Sequence, residues 1–184
     1  GEAVAYALAR VGAELILSSN DVPELKRVHD ECVVRGAKCT SVPFDLGNPD
    51  DVQDAIKQVK ANFNRIDILF NIGGISQRAY VADSPLELDR RIFEINYFGN
   101  IALTKGVLPM MLSNGYGHIL TVSSISGKFG FPLRSAYAAS KHALQGFYET
   151  LWLEMKGKNI GVTIAVPGRV QTNISLHALD KNGK

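Results

Sequence analysis

Five mostly apolar runs, separated by stretches of helical periodicity, constrain this chain more than any other feature of its sequence. They occupy residues 13–18, 38–44, 66–70, 117–123 and 161–166. A strand that is apolar at nearly every position, rather than at alternate ones, is buried on both faces. Such strands alternating with helices predict βαβ units, and so a doubly wound parallel sheet of the α/β class with helices on both faces. The chain opens directly in a helix, residues 1–9, closed by Gly12, and residues 22–35 read as an amphipathic helix closed by Gly36. Asn48-Pro49-Asp50-Asp51 supplies a cap, a proline at the first helical position and first-turn acids for a helix to about Asn62. Ser84-Pro85-Leu86-Glu87 reads as a capping box opening a helix to about Ile95; Asn96 follows, and a second helix starts near Phe98 and runs to Leu112. A last long helix carries Tyr137 and Lys141 to about Lys156. Nothing repeats and no linker intervenes, so residues 1–184 are expected to form a single domain.

In an open parallel sheet, ligands bind in the crevice at the carboxyl ends of the strands. The loops of interest therefore follow Ser18, Phe44, Phe70, Ser123 and Val166, and each carries Gly, Asn, Asp or Ser. Downstream of the fourth, Tyr137 and Lys141 stand four apart on a helix, which puts them on one face with Cβ atoms about 5–6 Å apart. An ammonium there favours the phenolate, so the tyrosine can exchange a proton with an alcohol or developing alkoxide. With six tyrosines in the chain, such a pair is weak by itself. A net charge of +2 gives no argument for a nucleic-acid or anionic-membrane partner, and no apolar run approaches the roughly 18 residues of a membrane span. Cys32 and Cys39 show neither metal-ligand spacing nor a disulfide framework. No metal is expected, and a reducing, cytoplasmic setting is, with a membrane anchor before residue 1 left open. His118 and His142 read as structural or interface residues, Phe147 and Trp152 as core or subunit-interface packing, and Arg169 as either a solvated side chain or an anion contact.

Six motifs in order, Asp45-Leu46, Asn71-Ile72-Gly73-Gly74, Asn96, Ser124, Tyr137-x-x-x-Lys141 and Pro167-Gly168-Arg169-Val170-Gln171-Thr172, resemble the short-chain dehydrogenase/reductase family over nearly the whole chain. Gly74–Arg78 and Ile92–Gly99 are similar to stretches of its carbonyl-reductase branch. The resemblance implies a Rossmann-like fold and an oxidoreductase moving a hydride between a nicotinamide cofactor, NADP(H) or NAD(H), and a small carbonyl or alcohol substrate. It implies Tyr137 as general acid or base, Lys141 as its electrostatic partner and holder of the nicotinamide ribose, Ser124 as the substrate-oxygen donor, and Asn96 as holder of a relay water. Asp45 and Leu46 would meet the adenine, although Asp45 could be a plain turn residue. Asn71 and Gly73 would line the adenosine ribose, and Pro167, Gly168, Val170 and Thr172 the carboxamide and pyrophosphate. The resemblance also implies a homodimer or homotetramer.

Three departures qualify it. The glycine-rich phosphate turn is absent, Gly1 standing where its last glycine would be, so the first and last strands, the turn and the substrate lid are expected outside residues 1–184. Ile72 replaces the family's second asparagine. Ser18-Ser19-Asn20, the cofactor selector, holds neither a carboxylate for NAD nor a base for the NADP phosphate; its donors, with Asn20, lean toward NADP. NAD-linked alcohol oxidation and a catalytically decayed scaffold are the alternative readings.

Overall fold

The computed structural model describes residues 1–168, 170, 174 and 178–183. The apolar runs form β1 (Leu15–Leu17), β2 (Cys39–Ser41), β3 (Ile68–Asn71), β4 (Gly117–Val122) and β5 (Ile160–Ala165), the first four shorter than their runs and β5 shifted by one residue. Around them lie α1 (Glu2–Ala9), α2 (Val22–Val34), α3 (Pro49–Asn62), α4 (Leu86–Phe93), α5 (Asn100–Asn114) and α6 (Ser135–Glu154). Every strand pairing is parallel, as the crossover helices require. β1 pairs with β2, while β4 lies between β3 and β5, with Phe70 opposite Leu120 and Leu120 opposite Thr163. Among the described residues no strand joins β1 to β3, so the sheet stands in two parts.

The larger core packs Val107 and Met111 of α5, Ile119 of β4, and Leu144, Tyr148 and Leu151 of α6. The smaller one joins Ala5 and Ala9 of α1 to Leu15 and Cys32. Among the described residues no helix is long and apolar enough to cross a membrane.

Two local expectations are corrected. Ser84 does not cap α4, whose N-cap is Pro85 without a side-chain bond; the Ser84 hydroxyl instead donates to Asp89 at 3.0 Å and accepts from Gln77. Nor does the helix stop near Ile95. A π-helical turn, Glu94–Gly99, carries α4 without a break into α5. Its wider turn disturbs the regular backbone ladder, and the Asn100 amide donates to the Ile95 and Asn96 carbonyls, both at 3.0 Å.

Candidate active site

β4 ends at Val122, and the next two residues diverge. The Ser123 hydroxyl turns inward, donating to the Lys141 carbonyl and accepting from Gln145, both at 3.1 Å. Ser124 is extended, and its hydroxyl oxygen accepts from the Ser126 N–H at the start of a single 3₁₀ turn, Ile125–Gly127. That turn lies hard against α6. A Cβ on Gly127 would come within 2.5 Å of the Ser123 hydroxyl and 2.8 Å of the Lys141 carbonyl, so the close approach requires glycine.

Helix α6 brings Tyr137 and Lys141 to the same wall. Lys141 is 3% exposed; its ammonium donates to the Val122 carbonyl at 2.9 Å and lies 5.9 Å from the Tyr137 ring centroid. Burial pulls its pKa from 10.5 down to about 8, so it is still mostly charged at neutral pH. The loop after β3 closes the other side. A Cβ on Gly74 would press on the Asn96 amide oxygen at 3.0 Å and lie 3.6 Å from the Lys141 nitrogen. Gly73, Ser124, Tyr137, Lys141, Pro167, Gly168 and Val170 all line one cavity of about 2160 Å³. Its volume includes the gap between the two parts of the sheet, along Leu15 and Leu17 of β1 and Ile68 and Phe70 of β3, and it reaches Gly1 and Glu2 at the start of α1 and Ser18 and Ser19 beyond β1.

Residues 1–182 match the family model described as short chain dehydrogenase. The chain belongs to the short-chain dehydrogenase/reductase family. It is 41% identical over 187 residues to "Dehydrogenase/reductase SDR family protein 7-like" of Drosophila melanogaster, and 40% over 187 residues to "Dehydrogenase/reductase SDR family member 7B" of Mus musculus. Both matches take in all of this chain but only 57% and 58% of those proteins. A short-chain dehydrogenase/reductase from Burkholderia phymatum, solved in complex with NAD, superposes with a TM-score of 0.89 at 27% identity, over 96% of this chain and 65% of that one. A metagenomic short-chain oxidoreductase in complex with NADP gives 0.87 at 28% identity, over 92% and 77%.

Other residues named by the resemblance lie outside the cavity lining. Asn96 is fully buried and lies behind the cavity wall: its amide donates to the Ile75 carbonyl at 3.0 Å and to Ser140 at 3.1 Å, and accepts from the Ile75 N–H at 2.8 Å. Asn71 does not line the cavity. Its amide turns inward, donating to Thr104 at 2.9 Å and Tyr148 at 2.8 Å, because a buried amide takes the partners its core offers. Asp45 forms a turn, its carboxylate accepting from the Gly47 N–H at 2.8 Å, and Leu46 packs where a Cβ on Gly73 would fall. Neither Asp45, Leu46 nor exposed Asn20 lines the cavity. Thr172 and Arg169 lie outside the described residues.

Sequence reading missed Gln77. The first backbone N–H groups of any helix lack intrahelical partners, and the N-cap of α6, Arg134, offers no side-chain bond to them. Gln77, wholly buried, reaches in from the loop after β3, and its amide oxygen accepts from the N–H of Ala136 at 3.0 Å and of Tyr137 at 3.4 Å. Its amide nitrogen donates to Ser84 at 2.8 Å. No local pattern signals a cap supplied from 59 residues away.

Proposed function

We propose that this chain carries the cofactor-binding and catalytic core of an oxidoreductase that interconverts a ketone or aldehyde with an alcohol, using NADP(H) or NAD(H). The observation that carries the reading is the convergence of Ser124, Tyr137 and a buried, charged Lys141 on one cavity at the carboxyl ends of parallel strands. The nicotinamide, when bound, supplies or accepts the hydride. Tyr137 gives a proton to the carbonyl oxygen in reduction and takes one from the alcohol in oxidation. The Lys141 charge favours the phenolate left by that transfer, and the same ammonium is suited to the cofactor's ribose hydroxyls. Ser124 already accepts from the Ser126 N–H, which leaves its own proton to donate to the substrate oxygen. Asn96 holds Ile75 and Ser140 together and so keeps the β3 loop and α6 in register.

The cleft fits a dinucleotide. Gly73 and Gly74 keep its floor free of side chains, and Pro167, Gly168 and Val170 line the nicotinamide end. At the other end Ser18 and Ser19 line the cavity, as does Glu24, whose carboxylate is paired with Arg27 at 2.9 Å. With the Glu24 charge of α2 offset and no carboxylate in the Ser18-Ser19-Asn20 turn itself, the reading leans toward NADP(H). Exposed Phe98 of the π turn, Leu112 of α5, and Trp152 and Leu153 of α6 support pairing of two copies into a dimer or tetramer. The test is calorimetric titration of the full-length protein with NADPH and NADH, followed by carbonyl reduction beside Tyr137→Phe. Tighter NADPH binding and loss of turnover in the variant are expected. Equal, slow NADPH oxidation by both proteins would mean that the fold is kept for binding alone.

A further inference from the structure

Two arginines line the cavity of the catalytic corner, and among the described residues neither is paired with a carboxylate. Residues 76–79 run between the tail and the start of α6. The Arg78 N–H donates to the Leu179 carbonyl at 2.7 Å, and the Ala79 N–H donates to the Leu133 carbonyl at 3.3 Å. This places Arg78 beside Arg134, whose guanidinium donates to the Ser76 hydroxyl and lies 5.9 Å from the Tyr137 ring centroid. Both side chains line the cavity that holds Ser124, Tyr137 and Lys141. Among the described residues neither guanidinium pairs with a carboxylate, although the chain's other ion pairs engage Arg27, Arg35, Arg65 and Arg90.

Holding a part-buried guanidinium, Arg134, beside the like charge of exposed Arg78 is unfavourable. Burial first, and the neighbouring Arg78 charge second, lower the Arg134 pKa. The backbone reinforces the placement. Leu133 adopts φ of +65°, a left-handed conformation that a bulky residue rarely takes, and its carbonyl is held by Ala79. Strain of this kind persists only where the surroundings over-determine it. Here it turns the chain so that Arg134 enters the cavity one residue before α6 begins.

We propose that Arg78 and Arg134 form a subsite for an oxyanion on the substrate, so that the preferred substrates are carbonyl compounds bearing a carboxylate or a phosphate-type group a few bonds from the reacting carbon. The short span from Arg134 to the Tyr137 ring sets that distance: an anion held on the guanidinium brings a nearby carbonyl to the phenol. Arginine's planar fork suits both kinds of oxyanion. The inference rests on the oxidoreductase reading for its chemistry and adds no chemical step to it.

Matched pairs test it in the full-length protein with NADPH. Acetoacetate is compared with methyl acetoacetate, and acetonylphosphonate with its dimethyl ester, in wild type, Arg78→Gln and Arg134→Lys. The readout is the ratio of kcat/KM for the anion to that for its neutral ester. The ratio is expected to exceed one for at least one pair in wild type and to fall roughly tenfold or more in R78Q, the range for losing one charge-assisted hydrogen bond. The pair with the larger ratio identifies carboxylate or phosphate as the source. Arg78 is exposed, so R78Q leaves the core intact should R134K fold poorly. Calorimetric binding of methylphosphonate and acetate, without turnover, gives a second measure. Anion binding that R78Q abolishes, in a protein that reduces none of the four compounds, upholds the subsite and removes the oxidoreductase reading. Turnover with a ratio that R78Q leaves unchanged removes the subsite alone.

Discussion

Replacing Lys141 with methionine removes a buried charge while keeping the length of the side chain. Lys141 is 3% exposed, and burial pulls its pKa from 10.5 to about 8. That fall of about 2.5, at about 1.4 kcal/mol for each, corresponds to about 3 kcal/mol of destabilisation while the lysine is charged. Below about pH 8 the folded and unfolded chains both hold the proton, and the whole penalty is present. Between about pH 8 and 10.5 the unfolded chain holds a proton that the folded chain has released, so stability rises with pH through that window. At pH 7 Lys141→Met recovers the penalty but leaves the Val122 carbonyl without its 2.9 Å donor, an opposing loss of about 1–3 kcal/mol. The decisive quantity is therefore the pH dependence of the difference between the two proteins. In urea unfolding without cofactor, wild type is expected to gain about 3 kcal/mol on the variant as pH rises from 7 to above 10.5. A difference that stays flat across that range would refute the account of Lys141 as a charge held at a stability cost for the sake of the site. The variant is also expected to lose carbonyl reduction, whatever its stability.

Gln77→Ala removes the acceptor for two N–H groups at the start of α6, so a loss of about 1–3 kcal/mol is expected in chemical denaturation. Because Tyr137 is one of the two, kcat should fall more than KM rises, and Gln77→Glu, which keeps an acceptor there, should restore part of it. Tyr148→Phe takes away a wholly buried hydroxyl bonded to Asn71 and Thr104. About 1–2 kcal/mol of stability should be lost, with NADPH affinity changed little; a large drop in affinity would mean that the Asn71 network shapes the cofactor cleft after all.

The alternation of apolar runs and helical stretches sufficed to predict a parallel α/β sheet, but the expected burial on both faces is not observed: β4 buries only alternate residues, and β2 and β3 are mostly half-buried. The spacing of Tyr137 and Lys141 was legible as a helical pair, whereas Ser124 came only from the family resemblance; all three line one cavity. Helical periodicity puts positions four apart on one face whatever the rest of the chain does. The π turn at Asn96 was not legible, since an inserted residue in a continuous helix and a break between two helices look alike in sequence.

What only the tertiary structure decided are the partnerships between distant segments. Gln77 meets the backbone of α6 across 59 residues, Asn71 meets Tyr148 across 77, and Arg134 meets Ser76 across 58. Each is a hydrogen bond whose donor and acceptor are brought together by packing of whole elements, and nothing in the local order of residues encodes such a pairing. The sequence by itself determined which elements form and which reactive side chains stand at their ends. The packing determined which way those side chains turn, because a buried polar group must find its partner among whatever neighbours the fold supplies.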